Sequence, residues 1–81
     1  MDYYFDEWLE NEKHYTAKEI RSICYRIDRI FEITHTQDFD ELRFDVFLDS
    51  EDYIFMKPST QYKYRKAYLL FCEFLERDPR N

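Results

Sequence analysis

STQYKYRKAYLLFCEFL, residues 59–75, follows a proline and reads as one long amphipathic helix. Tyr64, Ala67, Tyr68, Phe71 and Leu75 recur at steps of three and four, the spacing that lines one face of a 3.6-residue helix. Leu70 and Phe74 widen that face. Pro58 cannot continue a preceding helix, and Ser59 or Thr60 is placed to cap the new one by accepting from a free N–H. The first turns carry Lys63, Arg65 and Lys66 with Tyr62 beside them, so a basic outer cluster stands opposite an apolar inner face.

Composition points the same way. A chain of 81 residues is too short to divide its core, so residues 1–81 are expected to form a single domain. Aromatic residues make up 21% of it and supply the large side chains that a small core needs. Glycine is absent, which disfavours the tight turns of β-hairpins and favours helices joined by polar loops. The expected fold is all-α, a compact four- to five-helix bundle.

The net charge of −6 hides an alternation. Residues 1–12 carry −5, residues 13–33 carry +2, residues 34–52 carry −6 and residues 53–81 carry +3, so both basic blocks fall on the two longest expected helices. Cys24 and Cys72 lie on apolar helix faces and read as small buried hydrophobes. Two such thiols without a secretory leader fit a reducing cytoplasm. No apolar run approaches the ~18 residues needed to cross a bilayer, so no membrane partner is expected.

Along the chain, Tyr4, Phe5, Trp8 and Leu9 form the aromatic stripe of a short first helix, with Trp8 as a core anchor. Thr16 and Glu19 make a capping box for a second helix, whose inner face is Ile20, Ile23, Cys24, Ile27, Ile30 and Phe31. Its outer face holds Lys18, Arg21, Tyr25, Arg26 and Arg29. Residues 34–38 read as a loop. A third helix is expected over residues 40–48 with Phe39, Leu42, Val46 and Phe47 inward. Ser50 then caps a short turn, with Phe55 and Met56 packed inside.

No enzyme chemistry is legible. Without glycine no phosphate-cradling loop can form, neither cysteine sits in a nucleophile context, and His14 and His35 lack partners at metal-ligand spacing. No cofactor and no small-molecule substrate is expected. The order of certain residues does suggest a family: Trp8-Leu9, Tyr15-Thr16 at a helix start, the Ile-rich helix, Phe39-Asp40-Glu41-Leu42, Ser59-Thr60, Tyr64-Arg65-Lys66-Ala67 and Phe71-Cys72-Glu73-Phe74-Leu75. Together they resemble the SAM-like, core-binding N-terminal domain of phage integrases and other tyrosine recombinases. The resemblance implies a helical bundle that clamps duplex DNA through its second and last helices, and it carries none of the strand-cleaving residues. Residue by residue it implies DNA contacts at Thr16, Lys18, Arg21, Ser59, Thr60, Lys63, Arg65 and Lys66. Counting charge along the sequence selects the same two segments, and a cation in the first turn of a helix adds to its dipole and free N–H groups in attracting phosphate.

An alternative rests on the acids. Asp38, Asp40, Glu41, Asp45, Asp49, Glu51 and Asp52 put seven carboxylates into fifteen residues. Spaced in that way they can imitate a phosphate row and occupy the site of a basic nucleic-acid-handling protein, as a small phage or mobile-element inhibitor would. The simplest role for each acid is to keep an aromatic-rich bundle soluble.

Overall fold

The computed structural model describes residues 3–35 and 43–77. Among them lie five helices and no strand: α1 (Tyr3–Asn11), α2 (Ala17–Thr34), α3 (Phe44–Leu48), α4 (Glu51–Ile54) and α5 (Pro58–Arg77). The fold is the all-α bundle that composition predicts. None of these helices is long and apolar enough to cross a membrane.

The capping box opens α2 as expected. The Glu19 N–H donates to Thr16 Oγ1 at 3.2 Å and the Thr16 N–H donates to Glu19 Oε1 at 2.9 Å, so two backbone donors that the helix leaves free are satisfied reciprocally. Eighteen residues later α2 stops at His35, which takes the left-handed conformation (φ 55°, ψ 33°) while its N–H donates to the carbonyls of Phe31 and Glu32. His14, in the loop before α2, also has positive φ, at 60°. Glycine is the usual occupant of such positions, and histidine is among the few other residues enriched there.

Pro58 begins α5 where Ser59 or Thr60 was expected as cap. The Lys57 carbonyl accepts from the N–H groups of Thr60 (3.0 Å) and Gln61 (2.9 Å), and Pro58 takes the first helical position, where a missing N–H costs nothing. Ser59 and Thr60 therefore belong to the first turn. The inner face of α5 is the one read from spacing: Tyr64, Ala67, Phe71 and Phe74 are buried, with Tyr68, Leu70 and Leu75 packed against them.

That face meets an aromatic core. Phe5 of α1 stands edge-on to Phe71 at 5.2 Å, Trp8 packs on Phe74 at 5.6 Å, and Phe47 of α3 touches Tyr53 and Tyr64 at 5.1 and 5.4 Å. Phe44 and Tyr68 stack face to face at 3.8 Å. The edge-on and tilted pairs each add about 0.5–1.5 kcal/mol to what burial alone provides. Lys13 closes the α1–α2 loop over this core, pairing with Glu73 and lying 5.4 Å above the Trp8 ring.

Four expectations are corrected. The third helix starts at Phe44, after a non-helical Arg43 (ψ 77°); residues 40–42, where it was expected to begin, and Phe39 lie outside the described residues. Val46, expected inside, is exposed, because a five-residue helix buries only the flank that carries Phe47. Tyr4 is also exposed, since Phe5, Trp8 and Leu9 fill the α1 contact by themselves. Phe55 is the largest departure: it is 82% exposed, and Tyr53 and Met56 are the residues of this segment that turn inward.

Candidate nucleic-acid interface

Lys18, Ser22 and Arg26 follow one another at intervals of four along α2, and Tyr62, Lys63, Lys66 and Leu70 share a flank of α5. The two helices hold these stripes on either side of a groove of about 430 Å³, floored by Ile23, Ala67 and Leu70 and bordered by Tyr15 and Glu19. A second hollow of about 390 Å³ is lined by Lys18, Arg21, Ser22, Tyr25 and Arg26 together with Thr60 and Tyr64. Lys18, Ser22 and Arg26 line both, so the hollows form one basic band along α2.

Five cations therefore converge: Lys18, Arg21, Arg26, Lys63 and Lys66. Among the described residues none of them makes an ion pair. The single carboxylate in the wall, Glu19, is committed to the cap. Hydrogen bonds from the Thr16 backbone and hydroxyl hold its carboxyl below the usual range, and the nearby Lys66 charge adds to the effect. Five closely spaced cations against one carboxylate leave a positive local potential that favours a bound polyanion.

Of the residues the sequence singles out, Lys18, Arg21, Thr60, Lys63 and Lys66 come together at this band. Thr16 lines neither hollow, and its hydroxyl accepts from the Glu19 N–H. Ser59 is exposed but lines neither hollow. Arg65 points to the opposite flank of α5, where its guanidinium donates to the Tyr53 hydroxyl at 2.6 Å. Positions 63 and 66 neighbour each other on a helix, whereas 63 and 65 face nearly opposite ways. Arg26, Ser22 and Tyr25 complete the site and were missed as site residues, although the interval of four from Lys18 marks the first two.

The acidic series fares differently. Asp38, Asp40 and Glu41 lie outside the described residues. Asp45, Asp49, Glu51 and Asp52 are exposed along α3, α4 and the turn between them. Arg43 contacts Asp45 at 3.5 Å and holds its carboxyl below the ordinary value, and Arg29 approaches Asp52 at 3.8 Å. Beside these acids stand two apolar side chains, Phe55 and Ile54, the latter 57% exposed.

The cysteines are half-buried and unlinked, and burial pushes the Cys24 thiol up to about 11, far from the thiolate that reactivity needs. Compared with known protein families, with curated proteins and with solved structures, the chain has no match.

Proposed function

We propose that this protein is a non-catalytic helical module that binds duplex DNA through the basic band between α2 and α5. The observation that carries the proposal is the convergence of Lys18, Arg21, Arg26, Lys63 and Lys66 on one groove, where they make no ion pair among the described residues and share the lining with one carboxylate, Glu19. The band is too shallow to enclose a duplex, so it meets the sugar-phosphate backbone from outside, with phosphates against the cations and Tyr62 or Tyr25 against sugar. Such contacts position a protein on DNA without reading its sequence. The resemblance to recombinase core-binding domains suggests the same two helices, and the acidic remainder of the chain suits a module whose affinity is modest.

Duplex titration tests it. Five phosphate contacts imply that affinity falls about 10²–10³-fold between ~50 and ~200 mM salt. Absence of binding at the lower salt overturns the proposal.

A second reading, docking of the α3–α4 edge on a basic protein surface, is favoured by the exposure of Phe55 and Ile54 beside Glu51 and Asp52. Capture experiments with the wild type and an Asp45→Asn, Asp49→Asn, Glu51→Gln, Asp52→Asn variant address it, and identical partners would count against the acids.

A further inference from the structure

Phe55 is an apolar knob on a rigid mount. Its N–H donates to the Glu51 carbonyl at 3.0 Å, and the next residue, Met56, donates to the Tyr53 carbonyl at 3.0 Å. Ser50 caps α4 through the Tyr53 N–H. Tyr53, buried beneath the turn, is held at both ends: Gln61 Nε2 donates to its carbonyl at 2.9 Å and Arg65 to its hydroxyl at 2.6 Å. A phenyl ring presented on a fixed backbone loses little conformational freedom on docking, and aromatic anchors of this kind dominate interface energetics. The surrounding charge is on balance negative, from Asp49 and Glu51, with Asp52 facing Arg29 and an exposed Lys57 two residues on.

The α2–α5 groove has the complementary character. Its floor of Ile23, Ala67 and Leu70 is apolar, its rim carries Lys18, Lys63 and Lys66, and its volume is about 430 Å³. A cavity of about 150 Å³ already accepts a benzene ring.

We infer that the chain associates with a second copy of itself, the Phe55 ring of one copy seating in the α2–α5 groove of the other, with Glu51 facing Lys63 and Lys66. This inference rests on the acidic edge being a docking surface and is independent of whether the groove binds DNA. Knob and groove are different patches, so the contact is heterologous: each copy in a pair keeps one free knob and one free groove, and addition continues unless the rotation closes a ring. A contact built on one ring and a few rim charges is small, so association is weak and reversible. Opposite charges steer it, so salt weakens it. Where the groove also takes DNA, the second copy and the duplex compete.

Sedimentation velocity on the full chain provides the test. Between ~10 μM and ~1 mM protein at low salt, the weight-average coefficient is expected to rise with concentration and to rise less when salt is added. A wild type that stays monomeric over that range overturns the inference. Two variants then separate the patches: Phe55→Lys lacks the knob and keeps the groove, and Lys63→Glu/Lys66→Glu lacks the groove and keeps the knob. Each is expected to be monomeric alone, and an equimolar mixture to form dimers and nothing larger. A mixture that remains monomeric while the wild type associates overturns the contact, as does a Phe55→Lys protein that associates like wild type. All these positions are exposed, and circular dichroism verifies the helices; if the double reversal unfolds the chain, Lys63→Ala/Lys66→Ala takes its place. Self-association without duplex binding supports this contact and removes the DNA proposal, and duplex binding by a strictly monomeric chain does the reverse.

Discussion

The groove between α2 and α5 and the edge built from α3 and α4 carry opposite charge, yet they differ more in compensation than in sign. In the groove five cations stand together with no ion pair among the described residues, held there by the packing of Ile23 and Ala67 beneath them. At the edge two of the four described carboxylates already face Arg43 and Arg29. Charges concentrated against their mutual repulsion remain available to a ligand, whereas charges with local partners chiefly maintain solubility. What the edge keeps available is apolar, namely Phe55 and Ile54. The three bases near the start of α5 repeat the contrast: Lys63 and Lys66 belong to the groove, and Arg65 is spent on Tyr53.

The most disruptive way to break the comparison is through Phe47, the fully buried side chain that fixes the edge to Tyr53 and Tyr64. Phe47→Ala is expected to cost about 3–5 kcal/mol, a large part of the stability of so small a domain. Urea titration followed by circular dichroism would show the midpoint fall. Edge and groove share one core cluster, so both should be lost in a single transition; two separated transitions would show that the edge folds on its own.

Next in size is reversal of charge on α5. Lys63→Glu/Lys66→Glu is expected to weaken duplex binding at ~50 mM salt by about a hundredfold and to leave thermal stability nearly unchanged. Arg65→Glu should do the opposite, with little effect on binding beyond the change in net charge and a measurable loss of stability from the Tyr53 contact. Equal losses of affinity in the two variants would return Arg65 to the binding surface and erase the distinction between the flanks of α5.

Much of this was readable without coordinates. The α2 capping box and its isoleucine spacing are local signals that tertiary structure had no reason to override, and the inner face of α5 follows from the helical period. The division of Lys63 from Arg65 was also present in that period, but grouping residues by proximity in sequence obscures it. Three features were not readable. Arg26 becomes a site residue only because α5 lies along that side of α2. Phe55 is the C-cap of a four-residue helix, too short to carry a repeat from which its outward direction could be read. Pro58 rather than Ser59 or Thr60 opens α5 because the Lys57 carbonyl happens to be in place, and Ser and Thr are equally at home in a first turn.

A smaller perturbation tests how the mount of Phe55 is held. Tyr53→Phe removes the hydroxyl that accepts from Arg65 while preserving the ring that packs on Phe47. The expected loss is about 1 kcal/mol, the net worth of one hydrogen bond to a partly solvated cation. A double-mutant cycle with Arg65→Met should show that most of it is coupling between the two side chains. Additive effects would mean that the guanidinium does not stabilise the turn, leaving the Ser50 cap and Gln61 to hold it.

The smallest effect concerns the tyrosines that separate the two regions. Tyr68 stacks on Phe44, and its phenol is pushed up to about 12 by a hydrogen bond with Cys72 and by burial; burial likewise raises Tyr64, which packs on Phe47, against an opposing hydrogen bond from Arg29. In the unfolded chain both ionise near ~10. A raised pKa means that the folded state retains protons the unfolded state releases, so this contribution is complete below pH ~10 and is lost as pH climbs toward ~12. Solvent screening of a partly exposed phenol keeps it to about 1 kcal/mol or less. Denaturation midpoints measured from pH 8 to 11.5 should be flat and then fall. In Tyr68→Phe, which keeps the stacked ring, the alkaline fall should become shallower. If it stays as steep, ionisation of other groups governs the alkaline limit, and the wall between groove and edge is held by ring packing alone.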